Sequence, residues 1–216
     1  MAALAPQNTS IVIEPLPNGP YVVRNLERLT SSKGHVLPTK DVVALCRCGY
    51  SETKPFCSGM HKQIGFSSAN LSDGNKDRRI DYVGNEITIH DNRAICAHAG
   101  FCTDNLRSVW DSKRTPWIDP NGAEAAEIMA VVRMCPSGAL SYSIGGVESR
   151  DRERGPAVLV SSNGPYYVTG SIELVDAPWG QGASLEHYAL CRCGGSKNKP
   201  FCDGTHWSIG FADDTN

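Results

Sequence analysis

Nine cysteines in this chain fall into three groups of three: Cys46, Cys48 and Cys57; Cys96, Cys102 and Cys135; and Cys191, Cys193 and Cys202. An odd number of thiols cannot all pair as disulfides, and each group has a histidine close by in sequence. Such spacing, with no basic and apolar leader in Met1 to Pro20, reads as metal ligation before disulfide bonding. Two of the groups are copies of one another. Cys46 to His61 and Cys191 to His206 both follow C-x-C-x2-S-x3-P-x-C-x-G-x-H, and both close in an Ile-Gly-Phe tail ending at Phe66 and Phe211.

Within each copy the last Cys and the His are four apart, a separation that a short helix turns to one face. Pro55 and Pro200 stand where such a helix can begin without losing a needed N–H, and its amides would then face sulfur anions. Gly59 and Gly204, poor helix residues, suggest backbone close to a bulky object. The C-x-C pair supplies two more thiolates from an extended loop. Three Cys and one His suit a tetrahedral zinc ion, although C-x-C is an unusual zinc knuckle. They also suit a [2Fe–2S] cluster, which takes two ligands per iron.

These residues resemble the CDGSH iron–sulfur family, whose motif is C-x-C-x2-(S/T)-x3-P-x-C-D-G-(S/A/T)-H. The second copy matches at every motif position. The first departs at Ser58 and Met60 and keeps all four ligand positions. The resemblance implies one [2Fe–2S] cluster on Cys46, Cys48, Cys57 and His61, and another on Cys191, Cys193, Cys202 and His206. A histidine in place of a thiolate removes negative charge and raises the potential. Asp203, where the first copy has Ser58, makes the two sites unequal.

The middle group reads Cys96-Ala97-His98-Ala99-Gly100-Phe101-Cys102, with a remote Cys135-Pro136. Low-potential ferredoxins use C-x2-C-x2-C near a remote Cys-Pro, and here the central Cys is Ala99. Three thiolates with one open corner suit a [3Fe–4S] cluster, or a [4Fe–4S] cluster if His98, water or an exogenous group takes the fourth iron. The stretch from about 80 to 144, with Pro116-Trp117-Ile118 and C-P-S-G-A-L, is similar to the divergent mono-cluster 4Fe-4S ferredoxin domain. The bland reading is buried free cysteine in a small α+β domain.

The elements that must position these residues repeat as well. Asn18-Gly19-Pro20-Tyr21 returns as Asn163-Gly164-Pro165-Tyr166, and Leu45-Cys46 as Leu190-Cys191, at one offset of 145. A register held from first strand to tail marks a duplicated domain. The expected architecture is α+β: two small β-rich CDGSH-type units, 1–67 and 158–216, around a ferredoxin-like unit, 68–157, that ends in a charged linker over Glu148–Arg154. Strands are expected over Tyr21–Val23, Val42–Leu45, Glu86–His90 and Ala139–Ile144, and a helix over Glu124–Met134.

A net charge of −2 gives no general polyanion affinity, so nucleic acid is not an expected partner. No run reaches membrane-spanning length, and the expected setting is cytoplasmic. Residues 1–67 carry seven basic and four acidic residues, while 157–216 carry three and six, which favours the two copies pairing within the chain. His35, His90, Lys54 and Lys199 read as surface residues and His187 as a cross-strand neighbour. The tryptophans read as core or cluster shielding, Trp207 beside His206 in particular. No phosphate loop and no catalytic triad or carboxylate pair is readable. The expected function is electron transfer, or cluster storage and delivery, with a redox protein or cluster acceptor as partner. A zinc-dependent interaction scaffold and a cluster-dependent redox enzyme are the alternatives.

Overall fold

The computed structural model describes residues 10–213. It is an α+β chain in which three four-stranded sheets carry four short helices among the described residues.

The first repeat supplies β1 (Val12–Pro15), β2 (Tyr21–Arg24), β3 (Leu29–Ser31), β4 (Val42–Leu45) and α1 (Met60–Gln63). The middle stretch supplies β5 (Arg79–Val83), β6 (Thr88–Asn92), α2 (Phe101–Asn105), α3 (Ala125–Val132), β7 (Leu140–Ile144) and β8 (Val147–Ser149). The second repeat then gives β9 (Ala157–Val160), β10 (Tyr166–Thr169), β11 (Glu173–Leu174), β12 (His187–Leu190) and α4 (Thr205–Ser208).

Each repeat builds an antiparallel sheet on its own hairpin and takes its fourth strand from the other repeat. β1 pairs with β2, β2 with β4, and β11 lies parallel to β1 with Val12 opposite Glu173. In the second sheet β9 pairs with β10 and β10 with β12, while β3 lies parallel to β9 with Leu29 opposite Val158. The side-chain period of a strand decides what faces inward. On β2, Tyr21 and Val23 are buried, and on β10, Tyr166 and Val168 are. With Ile13, Leu29, Leu45, Val158, Val160, Tyr188, Leu190 and Phe201 they form one core drawn from both repeats. Each fully buried aliphatic side chain there contributes about 1.5–3 kcal/mol.

The third sheet runs β5-β6-β7-β8, all antiparallel. α3 covers it with Ile128, Val131 and Val132, packed with Ile87, Ile89, Trp110, Ile118, Leu140 and Tyr142. The helix starts on a capping box, in which the Glu124 side chain accepts from the N3 backbone and the Glu127 side chain accepts from the Glu124 N–H. It ends before Cys135-Pro136, so the remote cysteine leaves the helix directly.

Two surface expectations change here. His90 is buried between Asp81 and Ser143, each 2.7 Å away, because β5 and β7 flank it with polar partners. Lys199 is also buried, and its ammonium donates to the Ser196 carbonyl at 2.5 Å. The charged stretch expected as a linker begins in β8 and is tied to the second repeat. Asp151 accepts from Ser184 at 2.6 Å, and Arg154 grips Glu186 at 2.5 and 2.8 Å. His187 opens β12 opposite Thr169, a cross-strand neighbour as expected.

Candidate metal centres

In each repeat the last strand of the hairpin runs straight into the first cysteine. The loop then folds back on it. Cys46 N donates to Pro55 O at 2.7 Å and Cys57 N to Ala44 O at 2.9 Å, and Cys191 and Cys202 repeat both bonds at 2.9 Å. Ser51 and Ser196, the hydroxyls of the motif, hold the fold-back by donating to Phe56 O and Phe201 O at 2.5 and 2.7 Å.

Pro55 and Pro200 do not start the helices. α1 and α4 begin five residues later, behind Gly59 and Gly204 at φ +88° and +83°. That left-handed conformation is the requirement that selects glycine there. The final Cys of each motif therefore lies in the loop before the helix, and its His in the first turn.

The result is two pairs of donors per motif. Cys46 and Cys48 sulfurs stand 3.8 Å apart, as do those of Cys191 and Cys193. Cys57 Sγ is 3.4 Å from His61 Nδ1, and Cys202 Sγ is 3.4 Å from His206 Nδ1. Two sulfurs on one tetrahedral metal at bonds of about 2.3 Å stand about 3.8 Å apart, and a sulfur and a nitrogen about 3.6 Å. Each pair thus has the bite of a chelate. Among the described residues no three His, Cys, Asp or Glu side chains converge on a single ion position.

Electrostatics point the same way. Burial, with Cys46 beside it, pushes the Cys48 thiol up to about 11, and burial, with Cys191 and Asp203 near, raises Cys202 well above a free thiol. Thiols crowded together in a dry place lose their protons only to a cation. The backbone prepares for that charge: Gly59 N–H points at Cys57 Sγ and Gly195 N–H at Cys193 Sγ, both at 3.4 Å. Burial holds His206 below the usual imidazole range, which keeps it neutral and its lone pair available. The residue after the third cysteine ties down the helix entry. Asp203 accepts from Lys197 N at 2.8 Å and from Thr205 N at 3.0 Å, whereas the Ser58 hydroxyl accepts from Glu52 N at 3.3 Å.

Two tyrosines absent from the expected site hold both loops from across the repeat interface. Tyr21 donates to Cys191 O and Pro200 O at 2.9 Å, and Tyr166 to Cys46 O and Pro55 O at 2.9 and 3.0 Å. Their signal was the repeated Asn-Gly-Pro-Tyr. The Tyr166→Phe substitution should cost about 1–3 kcal/mol, since it takes the hydroxyl from the buried Cys46 O while Pro55 O keeps the Cys46 N–H, and should loosen the first motif more than the second. Backbone hydrogen exchange at Cys46–Cys57 against Cys191–Cys202 checks this. The arginine of each C-R-C is also buried. Arg192 donates to Gly164 O and Ser161 O at 2.8 and 2.7 Å and is paired with Asp213, while Arg47 donates to Leu16 O at 3.2 Å and lies over the Tyr21 ring.

The structure brings the three middle cysteines to one cavity of about 440 Å³, lined also by Arg93, His98, Trp117 and Ser137. Gly100, at φ +84°, turns the chain from Cys96 into α2, which carries Cys102. Burial, reinforced by Cys135 and opposed by Arg93, pushes Cys96 up to about 12. His98 lines the cavity, but its Nδ1 accepts from Arg93 at 3.1 Å, and its ring faces Gly204 of the second motif. The Trp207 ring lies tilted beside His206, ring centres 5.0 Å apart, and its indole donates to His98 O at 3.1 Å.

The family of iron-binding zinc fingers of CDGSH type matches residues 18–62 and 163–207. The family of divergent 4Fe-4S mono-cluster domains matches residues 82–145. Two curated relatives, the uncharacterized protein YjdI of Escherichia coli K12 and that of Escherichia coli O157:H7, are each 41% identical over 61 residues, covering 28% of this chain and 80% of theirs.

Proposed function

This chain belongs to the CDGSH-type iron-binding family, in two copies around a divergent 4Fe-4S-type domain, and on that premise we propose that it is a non-enzymatic carrier of electrons or of iron–sulfur clusters. Cys46, Cys48, Cys57 and His61 would hold one [2Fe–2S] cluster, and Cys191, Cys193, Cys202 and His206 a second. Cys96, Cys102 and Cys135 would hold a [3Fe–4S] cluster, or a [4Fe–4S] cluster completed by an outside ligand. The observation that carries this reading is the pairing of donors at chelate distance, 3.8 and 3.4 Å, twice over. A single zinc ion would draw four donors to one point, while a binuclear centre asks for two and two. Bound there, such clusters supply one-electron chemistry at potentials set by ligand type, hydrogen bonds and burial.

The chain's own residues support transfer between sites more than isolated storage. Cβ atoms built on Gly49 and Gly194 would fall 2.5 Å from Cys193 O and Cys48 O, so the two C-x-C loops touch through backbone. Ala97, next in the chain to the middle-site Cys96, is buried against Cys202. His98 points its Nδ1 at Arg93, which favours water or an exogenous group over His98 as the fourth ligand. We take 1–67, 68–157 and 158–216 as the working units, with the two repeats acting as one pair through their exchanged strands. No described helix is long and apolar enough to cross a membrane, and nine free thiols fit a reducing, cytoplasmic setting.

The Cys57→Ser and Cys202→Ser substitutions should each remove about two irons per chain, and Cys135→Ser three or four, roughly. Variants that instead lose one zinc each, from a colourless protein, would replace this reading with the zinc scaffold.

A further inference from the structure

The two motifs match in sequence yet differ in what covers them. On the second, the middle unit is seated directly. The His98 ring lies 2.8 Å from where a Cβ on Gly204 would be, the Trp207 indole donates to His98 O at 3.1 Å, and Asn198 donates to Ala94 O at 2.9 Å. Cys202 and His206 are accordingly buried, 2% and 4% exposed. The positions 145 residues earlier are Gly59, Lys62 and Thr53. Among the described residues a Cβ on Gly59 would meet nothing within 4 Å, and Cys57 and His61 are only half-buried. Lys62 and Gln63 are exposed, as are Ile64 at 40% and Tyr50 at 64%.

We propose that this open face of the first motif, around Gly59, Lys62 and Ile64, is a docking surface for a separate ferredoxin-type protein, whose cluster loop sits on Gly59 as loop 96–98 of this chain sits on Gly204. The proposal rests on the iron–sulfur reading above and names the partner of that site. Lys62 occupies the position from which Trp207 donates to a loop carbonyl, so a cation stands ready for carbonyls or carboxylates on the incoming loop. Lys62 is the exposed cation of this face, so a partner that brings an acidic group to it is drawn there. Glu52 is the acidic residue of the same motif loop and selects against a partner that is acidic at that edge. The exchange served is one electron: the ferredoxin loses one, this chain gains one, or the reverse, and no bond is made or broken.

The test is calorimetric titration of an acidic bacterial 4Fe-4S ferredoxin into the iron-loaded full chain, with iron measured in every sample. Saturable one-to-one binding is expected, weakened about tenfold by Lys62→Glu and by half-molar salt, and unchanged by Lys33→Glu, which makes the same charge change in another loop. Gln63→Glu serves as the second variant if Lys62→Glu loses iron, and should weaken binding in the same direction. Equal binding by Lys62→Glu and Lys33→Glu, no binding by the iron-loaded chain, or sedimentation showing this face closed in a dimer of the chain would each overturn the docking surface. A chain that holds no iron would instead overturn the iron–sulfur reading beneath it.

Discussion

The Gly194→Ala substitution should destabilise the chain by about 2–4 kcal/mol and disturb both C-x-C loops at once. Gly194 sits at φ +80°, and a Cβ there would lie 2.5 Å from the backbone oxygen of Cys48. Gly49 mirrors it at φ +85° against Cys193 O. Backbone oxygens cannot swing aside as a side-chain tip can, so the overlap moves a whole loop. Gly34→Ala is the control. Gly34 has nearly the same φ, +81°, but a Cβ there meets no described atom within 4 Å, so only the conformational cost of about 1 kcal/mol applies. Denaturant midpoints of the two variants give the comparison. Equal losses would mean that the repeats do not touch at these loops.

The second large effect is expected at Asp213. Its carboxylate faces Arg192, which is 1% exposed and has its other donors on Gly164 O and Ser161 O. Asp213→Ala leaves a guanidinium buried without its counter-charge, a loss of about 3–5 kcal/mol. Arg192→Met in the same chain removes the orphaned charge and should restore part of that, because the pair's cost of desolvation goes with it. The first repeat has Ser68 at the equivalent position, and Arg47 rests on Leu16 O and the Tyr21 and Phe66 rings instead. Thermal unfolding of the three variants checks the ordering. A loss below 1 kcal/mol for Asp213→Ala would show that solvent reaches Arg192.

What the sequence made legible was whatever covalent spacing carries by itself. The repeat, the three cysteine groups, the hairpin entering each C-x-C and the helix behind Cys135 are all local patterns. The exchange of β3 and β11 between repeats was not legible. Those strands are three and two residues long, and their register comes from a shared core rather than from a pattern of their own. Pro55 and Pro200 suggested helix starts because proline tolerates that position, yet Gly59 and Gly204 set the start through a left-handed backbone. His90 and Lys199 read as surface residues because a polar side chain is exposed unless something bonds it. Asp81 and Ser143 do so for His90 from the two flanking strands, and the Ser196 carbonyl does so for Lys199 through a turn that the loop residues do not announce. The unequal cover on the two motifs was hidden for a related reason. His98 meets Gly204 across about a hundred residues of chain, while both motifs spell nearly the same line.

The central claim is that these three groups of cysteines hold iron–sulfur centres, and iron and acid-labile sulfide per chain test it most directly. On anaerobically purified protein, about seven or eight irons are expected, with matching sulfide, visible absorption bands and EPR signals of two cluster types. Zinc in place of iron, with no visible bands, would contradict it.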